Sequence, residues 1–200
     1  YPTARAASEN CSLTLRFPKW GEVGMINKLI SLLPPPSPRA FDKAAWANLE
    51  TEENLRLPND FKEFISIYGC GAIDDFVWVL DPFSENSNLN YEKSKCFVGA
   101  YAVMRQGFLS DYPRPDYPAE GSFLPWAVTD NGETFVWLVD GEPDSWKVAI
   151  HSSDQGEEEI YNCGCVEFLL RLLGRDISSK VLPGQFPSAD LDKHFFKAAD

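Results

Sequence analysis

The side chains with the greatest capacity for chemistry are two histidines, five cysteines and 30 acidic residues. Only His151 and His194 could be the base that activates a serine or cysteine nucleophile. His151 ends a predicted strand next to Ser152, His194 lies in a tail that we expect to be mobile, and neither belongs to a nucleophile motif such as G-x-S-x-G. The histidines therefore predict no nucleophilic active site, and we interpret His151 as a polar residue at a strand end.

Acid pairs occur at several places in the chain, namely Asp74 with Asp75, Asp130 with Glu133, Asp140 with Glu142, and the run 157–159. Two carboxylates held about 5 to 10 Å apart could be the acid and base of a glycosidase. With 30 acids among 200 residues, however, neighbouring acids arise by chance, and most of them lie in solvated loops. A carboxylate-based carbohydrate-active enzyme is therefore the less favoured alternative, and we expect a protein without catalytic activity.

The cysteines form an odd and widely spaced set: Cys11, Cys70, Cys96, Cys163 and Cys165. Small secreted domains instead carry a dense, even set that forms disulfides, so we expect reduced thiols and a cytoplasmic protein. Only one residue separates Cys163 from Cys165, whereas zinc half-sites have two to four residues between ligands. We therefore expect no metal, and the chain contains no P-loop or G-x-G-x-x-G motif that would predict a nucleotide cofactor.

Composition and charge restrict the class of protein further. A chain of 200 residues that is 44% hydrophobic and 14% aromatic predicts one well-packed folded domain. Its formal charge of −12 argues against direct nucleic-acid binding, which depends on Lys and Arg neutralising phosphates. A basic protein partner fits this charge, and solubility alone is the alternative explanation. No apolar run approaches the roughly 18 residues of a membrane helix, so we expect no membrane partner.

The elements that must position these groups are organised around residues 57–83. Pro58 suits the first turn of a helix, where its missing N–H is not needed. Gly69 and Gly71 are predicted to end this helix, and the run 76–80 predicts a core strand after it. Four large apolar residues lie at helical spacing on one face of the predicted helix: Phe61, Phe64, Ile65 and Tyr68.

The same stretch, with the pattern LPxDFxxFxxxYGxG followed by a short strand that ends at a proline, resembles the core signature of the SUKH superfamily. This superfamily includes fungal cell-wall regulators and bacterial immunity proteins. The resemblance covers residues 25–176 and implies an α+β fold. In that fold, N-terminal helices precede a largely antiparallel curved sheet of about five or six strands, and a C-terminal helix packs on the sheet.

The remaining sequence predicts further elements and two flanking segments. We expect residues 1–24 to lie outside the core, with the natural product beginning at Met25, and residues 177–200 to wrap the domain as a tail with a short final turn. Asp42 can cap a helix that buries Trp46, after a proline-rich run, 34–38, which predicts a spacer or a recognition ligand. A further helix is predicted at 91–108, strands at 146–150 and 158–161, and a closing helix at 166–173.

A hairpin is predicted where Asn131 and Gly132 separate two β-rich runs, because Asn-Gly is the preferred two-residue type I′ turn. Three cross-strand pairs follow from that turn: Asp130 with Glu133, Val128 with Phe135, and Trp126 with Trp137. The two acids at the hairpin neck should be solvated or should hold a cation, because facing like charges repel.

The resemblance also implies a function, which is that of an immunity protein. Such a protein protects the producing cell by binding a cognate secreted toxin, often a nuclease. A nuclease presents a basic groove, so the acidic charge of this chain suits that partner. We therefore expect four loop acids to contact the toxin: Asp74, Asp75, Asp130 and Glu133. A regulatory scaffold of the fungal cell-wall type is the alternative.

Overall fold

A seven-stranded antiparallel sheet is the framework of the domain in the computed structural model, which describes residues 22–36, 42–152, 156–190, 192 and 194–199. The helices are α1 Glu22–Leu32, α2 Lys43–Glu52, α3 Asn59–Tyr68, α4 Tyr91–Gly107 and α5 Cys165–Leu173, with a 3₁₀ turn at Pro143–Ser145. The strands are β1 Gly71–Ile73, β2 Val77–Val79, β3 Phe123–Thr129, β4 Thr134–Leu138, β5 Lys147–His151, β6 Glu158–Tyr161 and β7 Phe196–Ala198.

The strands are ordered β6-β5-β4-β3-β2-β1-β7, and each is antiparallel to its neighbours. This confirms the predicted α+β fold with a largely antiparallel sheet and a helix after it. The helix α1 begins at Glu22, three residues before the predicted start at Met25. Residues 1–21 of the predicted non-core segment lie outside the described residues, as do Cys11 and the end of the proline-rich run, and the start of the natural product at Met25 stays a prediction.

One face of the sheet, the core face, carries Phe135 and Trp137 of β4 and is covered by α1, α3 and α5, which pack against one another. The rings of Phe61 and Trp137 meet edge to face with centroids 4.8 Å apart. All four residues of the predicted apolar stripe on α3 are buried, which confirms that prediction: Phe61, Phe64, Ile65 and Tyr68. The Tyr68 hydroxyl also donates to the carbonyl of Leu33 at 2.7 Å and so ties α3 to the end of α1.

The opposite face, the α4 face, carries Thr134, Val136 and Leu138 of β4. Here α4 packs across β3, and the rings of Tyr101 and Phe123 meet with centroids 4.3 Å apart. A second, smaller apolar cluster forms under this helix: Tyr101, Tyr112, Phe123, Val136, Leu138 and Ala149. The two faces therefore have separate cores of different size.

The hairpin between β3 and β4 lies where the sequence predicts it, but its turn is of another type. Thr129 donates its backbone N–H to the carbonyl of Glu133 at 2.8 Å, and Gly132 donates to the carbonyl of Thr129 at 3.1 Å. Gly132 has a φ of 95°, whereas Asn131 is not among the residues with positive φ. A type I′ turn requires positive φ at both positions, so the loop has three residues with glycine in the left-handed region.

The predicted cross-strand pairs are consequently wrong. The observed pairs near the turn are Val128 with Thr134 and Ala127 with Phe135, and a bulge at Trp126 then shifts the register so that Leu124 pairs with Trp137. Trp126 and Trp137 are not directly opposite each other, yet their rings stack with centroids 5.9 Å apart on the core face.

The C-terminal segment is more ordered than the sequence suggests, and the predictions of a mobile His194 and a short final turn are wrong. Residues Phe196–Ala198 form β7, which pairs with β1 at the edge of the sheet. A Cβ atom at Gly71 would collide with the carbonyl of Lys197 and the ring of Phe196, so glycine permits this close approach. Both β1 and β7 were missed because a three-residue strand carries too little periodicity to predict.

The side chain of His194 is fully buried and holds the start of β7 against the domain. Its Nδ1 atom lies 2.6 Å from Oδ2 of Asp74, and its Nε2 atom lies 3.1 Å from the carbonyl oxygen of Leu173. Both partners are oxygen acceptors, since the carbonyl cannot donate and the carboxylate normally does not. Through these two contacts His194 links the C-terminal segment to the turn between β1 and β2 and to the end of α5. We call this arrangement the buried bridge.

No helix in the described ranges has both the length and the apolar character that a membrane crossing requires.

Candidate functional site

The structure brings the two predicted acidic turns to the same end of the sheet. The turn between β1 and β2 contains Asp74 and Asp75, and Asp130 of the hairpin donates its backbone N–H to the carbonyl of Phe76 at 3.1 Å. Asp75 is exposed and lies 3.2 Å from the ammonium of Lys197. Asp130 is also exposed. These two acids are therefore accessible to a partner from the hairpin end of the domain.

The other two predicted acids have roles inside the chain. The carboxylate of Asp74 accepts from the backbone N–H of Phe195 at 3.0 Å, in addition to its contact with His194. Glu133 is half-buried and hydrogen bonded to the hydroxyl of Thr129. Asp75 and Asp130 also have partners, since Asp130 accepts from the indole N–H of Trp78 at 2.7 Å, but both are exposed whereas Asp74 and Glu133 are half-buried, so Asp75 and Asp130 are the stronger candidates for contact with another protein.

Beside the hairpin, the α4 face contains an open groove of about 290 Å³. It lies between α4, the segment after α4, and strands β3 to β5, and it is lined mainly by apolar and aromatic residues: Phe97, Ala100, Tyr101, Met104, Tyr112, Phe123, Gly132, Thr134 and His151. The groove therefore reaches the same hairpin that carries Asp130. A largely apolar concavity with a few polar groups is the usual form of a binding site.

His151 lies in this groove among three aromatic rings. The distances between ring centroids are 5.5 Å to Tyr101, 6.0 Å to Tyr112 and 5.9 Å to Phe123. Burial lowers the pKa of His151, and the nearby charges of Glu158 and Arg114 act in opposite directions. The imidazole is therefore neutral at neutral pH. His151 is the last residue of β5, as predicted, but it is buried rather than a solvated strand end.

A second buried polar group lies next to His151 on the neighbouring strand. Thr134 pairs with His151 across β4 and β5, and its hydroxyl oxygen is buried without a hydrogen-bond partner among the described residues. Within the same part of the chain, no hydrogen bond to the imidazole of His151 is found either. Buried polar groups in folded proteins are normally paired, so the unpaired hydroxyl of Thr134 is unusual, whereas neither imidazole nitrogen of His151 is among the fully buried unpaired atoms of the described residues.

An ion pair between Arg114 and Glu158 lies near His151, since Glu158 is opposite His151 across β5 and β6. The guanidinium binds the carboxylate through two nitrogens, with Nε 2.7 Å from Oε1. The backbone N–H of Arg114 also donates to the hydroxyl of Tyr101 at 3.0 Å. The charge of Arg114 is thus balanced, and its segment is tied to the wall of the groove.

Beyond the groove, the C-terminal end of α4 exposes large apolar side chains. The exposed fraction is 67% for Val103, 54% for Phe108 and 59% for Leu109. Met104 is also exposed and lines the groove, so apolar side chains are exposed both in the groove and at this end of the helix. Clustered exposed apolar residues commonly mark a protein interaction site.

A second cavity, of about 150 Å³, lies where α3 and α5 begin and is lined by four carboxylates among other residues: Asp60, Glu63, Asp144 and Glu167. Burial raises the pKa of Asp60 and also that of the Cys165 thiol. Asp60 accepts from the backbone N–H of Val166 at 3.1 Å, and Asp144 accepts twice from Asn59 at 2.7 Å. Because these bonds satisfy helix N-termini, they explain Asp60 and Asp144 as structural caps.

The groove was not predicted from the sequence, although part of its signal is present there. Phe97, Tyr101 and Met104 follow one another at spacings of four and three on α4, and this spacing was used only to predict a helix. Tyr101 is buried, whereas Phe97 is half-buried and Met104 is exposed. Tyr112 and His151 lie on segments that only the tertiary fold brings to this helix.

Comparison with protein families identifies the fold independently. The SUKH_6 family model, described as SMI1-KNR4 cell-wall, matches residues 43–169, which is more than half of the chain. The chain belongs to this family. The predicted SUKH resemblance is thereby confirmed. No curated protein and no solved structure matches the chain.

The SMI1-KNR4 match begins at α2 and ends within α5. It therefore includes the hairpin, the groove and the exposed end of α4. The helix α1 and the strand β7 lie outside the matched range, although α1 packs against α5 and β7 pairs with β1. In this chain the matched range is thus flanked by one packed helix and one edge strand.

Proposed function

We propose that this SMI1-KNR4 family protein is a non-catalytic immunity protein, which neutralises a cognate toxin by docking on it directly. The observation that carries the proposal is the apolar surface of α4 and its groove, next to the exposed acids of the hairpin end. An apolar centre with a charged rim is the usual organisation of a protein-protein interface. Membership of the family fits a binding module of this kind.

The charge of the chain supports a basic partner. The formal charge is −12, and Asp75 and Asp130 are exposed at the hairpin end. Charge complementarity of this kind accelerates association and disfavours wrong partners. A toxin domain that binds nucleic acid has a basic surface, because it must neutralise phosphates. Such a domain is the partner that the charge of this protein favours.

The arrangement of the histidines supports a role in binding rather than catalysis. Both nitrogens of His194 are engaged, by Asp74 and by the carbonyl of Leu173. His151 is surrounded by aromatic rings and lies beside Thr134, whose buried hydroxyl has no hydrogen-bond partner among the described residues. A general base must lie within hydrogen-bond reach of its nucleophile, so His151 and Thr134 are not arranged as a base and a nucleophile.

The proposal is tested by capture and then by reconstitution. The chain is used as bait in extracts of its native host at low and at high salt, and a captured basic domain is expressed alone and together with the chain. We expect the domain to be toxic alone and harmless in the presence of the chain. Capture of several endogenous signalling or cell-wall proteins, none of them toxic, would favour the regulatory scaffold instead.

Two charge-neutralising double variants locate the docking end. Asp75→Asn with Asp130→Asn should lower the association rate about tenfold at low salt and weaken its salt dependence. The matched control, Glu85→Gln with Glu120→Gln, removes the same charge from exposed positions at the opposite end of the sheet and should bind normally. Equal rates for the two double variants would remove the hairpin end from the interface.

A further inference from the structure

The groove on the α4 face combines an aromatic wall with polar atoms that have no partner in the described part of the chain. Tyr101 and Phe123 enclose His151 from two sides, and Thr134 lies beside it with a buried, unpaired hydroxyl. His151 and Thr134 are each more than nine-tenths buried. A buried hydroxyl is normally paired, so Thr134, with the imidazole of His151 beside it, points to a ligand that carries a hydrogen-bonding atom.

The size of the groove sets the scale of that ligand. Its volume is about 290 Å³. An enclosed apolar cavity of about 150 Å³ is sufficient for benzene in another protein, so this groove can accommodate a substituted aromatic ring. Aromatic rings pack favourably edge to face or in offset stacks on other rings, and the walls of the groove offer such faces.

We propose that the groove seats one aromatic side chain with a polar tip, tyrosine or tryptophan, carried by a basic segment of the partner protein. The assignment rests on the proposed function, because the occupant belongs to the docked protein. It adds the chemistry of the residue that anchors the docking.

The polar tip follows from the state of His151. Burial keeps the imidazole neutral by lowering its pKa, and a neutral imidazole has one nitrogen that accepts a hydrogen bond. A tyrosine O–H or a tryptophan N–H donates to that nitrogen while its ring lies against Tyr101 and Phe123. Phenylalanine or leucine would fill the same volume and leave the imidazole unpaired.

The basic neighbours of the anchor follow from the rim of the groove. Gly132 and Thr134 line the groove and flank the hairpin acid Glu133, and Asp130 precedes them in the same turn. On the other side, the exposed Asp111 directly precedes Tyr112. Arg114, a cation whose charge acts on His151, is paired with Glu158. Lysine or arginine beside the anchor would therefore meet acids on both rims.

Three short peptides test the assignment on the full chain, labelled with ¹⁵N and ¹³C and observed by NMR. The probes are acetylated, amidated Lys-Tyr-Lys, Lys-Phe-Lys and Glu-Tyr-Glu. We expect Lys-Tyr-Lys to shift the signals of Tyr101, Phe123 and His151 and to bind about tenfold more tightly than Lys-Phe-Lys, which lacks only the hydroxyl. Glu-Tyr-Glu should bind more weakly than Lys-Tyr-Lys, and the difference should shrink as salt is added.

Two variants of α4 provide the matched control. Ala100 is exposed and lines the groove, so Ala100→Trp should fill the groove and abolish peptide binding. Gln106 is exposed on another side of the same helix, so Gln106→Trp adds the same side chain outside the groove and should bind like the original chain. In His151→Phe, the preference for Lys-Tyr-Lys over Lys-Phe-Lys should disappear, because the aromatic wall remains and the acceptor is lost.

Several results would overturn the assignment. Equal affinities for Lys-Tyr-Lys and Lys-Phe-Lys would show that the anchor needs no polar tip. If free 4-methylphenol binds as tightly as Lys-Tyr-Lys and salt has no effect, the groove is a small-molecule site. If the chain self-associates and Ala100→Trp abolishes this self-association, the occupant is a second copy of the chain. Signal changes confined to residues outside the groove would place the peptide elsewhere.

The failure of this assignment can be distinguished from failure of the proposed function. A toxin that Ala100→Trp neutralises as well as the original chain would refute the groove anchor and leave the immunity role standing. Selective binding of Lys-Tyr-Lys by a chain that neutralises no toxin would leave the groove assignment standing and refute the immunity role.

Discussion

Three helices, α1, α3 and α5, cover the core face of the sheet, whereas α4 is the one helix of the described residues that packs on the other face. On the core face Phe135 and Trp137 are completely enclosed. On the α4 face the groove is lined both by buried Tyr101 and by exposed Met104. Similar residue types are thus used for stability on one face and remain accessible on the other. What distinguishes the faces is how many elements cover them, and this determines which one can bind a partner.

The largest effect is expected from a cavity in the core face. Phe168 of α5 is fully buried against Trp126 and Phe135, with ring centroids 6.2 Å and 5.3 Å away. Phe168→Ala should lower the free energy of unfolding by about 3 to 5 kcal/mol, because the surrounding rings cannot fill the space. Phe97→Ala, in the half-buried wall of the groove, should cost less than about 1 kcal/mol. Urea denaturation of both variants measures the difference, and similar losses would contradict the division between the faces.

The next effect concerns the buried bridge that attaches β7. His194→Ala leaves Asp74 without its imidazole partner and should lower the free energy of unfolding by about 3 kcal/mol. Hydrogen exchange should accelerate first at β1 and β7, because these strands pair with each other. The control is Lys197→Ala in β7, which breaks the exposed ion pair with Asp75. It should change the free energy of unfolding by less than about 0.5 kcal/mol. Unchanged exchange in His194→Ala would show that the bridge does not hold the strand.

Substitution of two threonines at the hairpin should change the free energy of unfolding by smaller amounts, and the two changes should have opposite signs. Thr134→Val removes a buried hydroxyl that has no partner in the described part of the chain and should stabilise the fold by up to about 1 kcal/mol. Thr129→Val removes a hydroxyl that binds Glu133 and accepts its backbone N–H at 3.1 Å, so it should destabilise by about 1 kcal/mol. The midpoints of thermal unfolding report the signs, and destabilisation by Thr134→Val would indicate that its hydroxyl is satisfied.

The pH dependence of stability reports the groove histidine. Because burial lowers the pKa of His151 below its ordinary value of 6.5, the unfolded chain takes up a proton at a pH where the folded chain does not. The contribution of His151 to stability is therefore complete above about pH 6.5 and is lost as the pH falls below that value. The free energy of unfolding of the original chain should decline more steeply between about pH 7 and pH 5 than that of His151→Phe. Parallel profiles would contradict a buried neutral imidazole.

The sequence predicted best those elements whose signal is local. The spacing of apolar residues over a few helical turns predicts the stripe on α3, the span of α4 and the helix α5. The strand β6 was likewise predicted from its own short segment. The hairpin was predicted at the right place, but its register depends on the φ of one residue, Asn131, which Asn-Gly does not fix. The strands β1 and β7 are short and pair across more than a hundred residues, so no local pattern reveals them.

The candidate site was harder to predict than the fold. Asp75 and Asp130 could be selected as exposed loop acids, but the same pattern included Asp74, whose carboxylate is used by His194 and Phe195. The apolar spacing on α4 could not show that its stripe is only partly covered, because coverage depends on which other helices pack on that face. His151 was undervalued because its aromatic neighbours come from three separate segments.

The strand β7 also affects how the sheet behaves toward other chains. An uncovered strand edge displays unpaired N–H and C=O groups, on which a strand of another molecule can assemble. Here β7 occupies the edge of β1, and it is itself short and carries an exposed lysine, Lys197, two features that discourage further strand addition. A fragment trimmed to the family-matched residues 43–169 would lose this cover and present β1 directly. The C-terminal strand thus protects the sheet against aggregation through its edge.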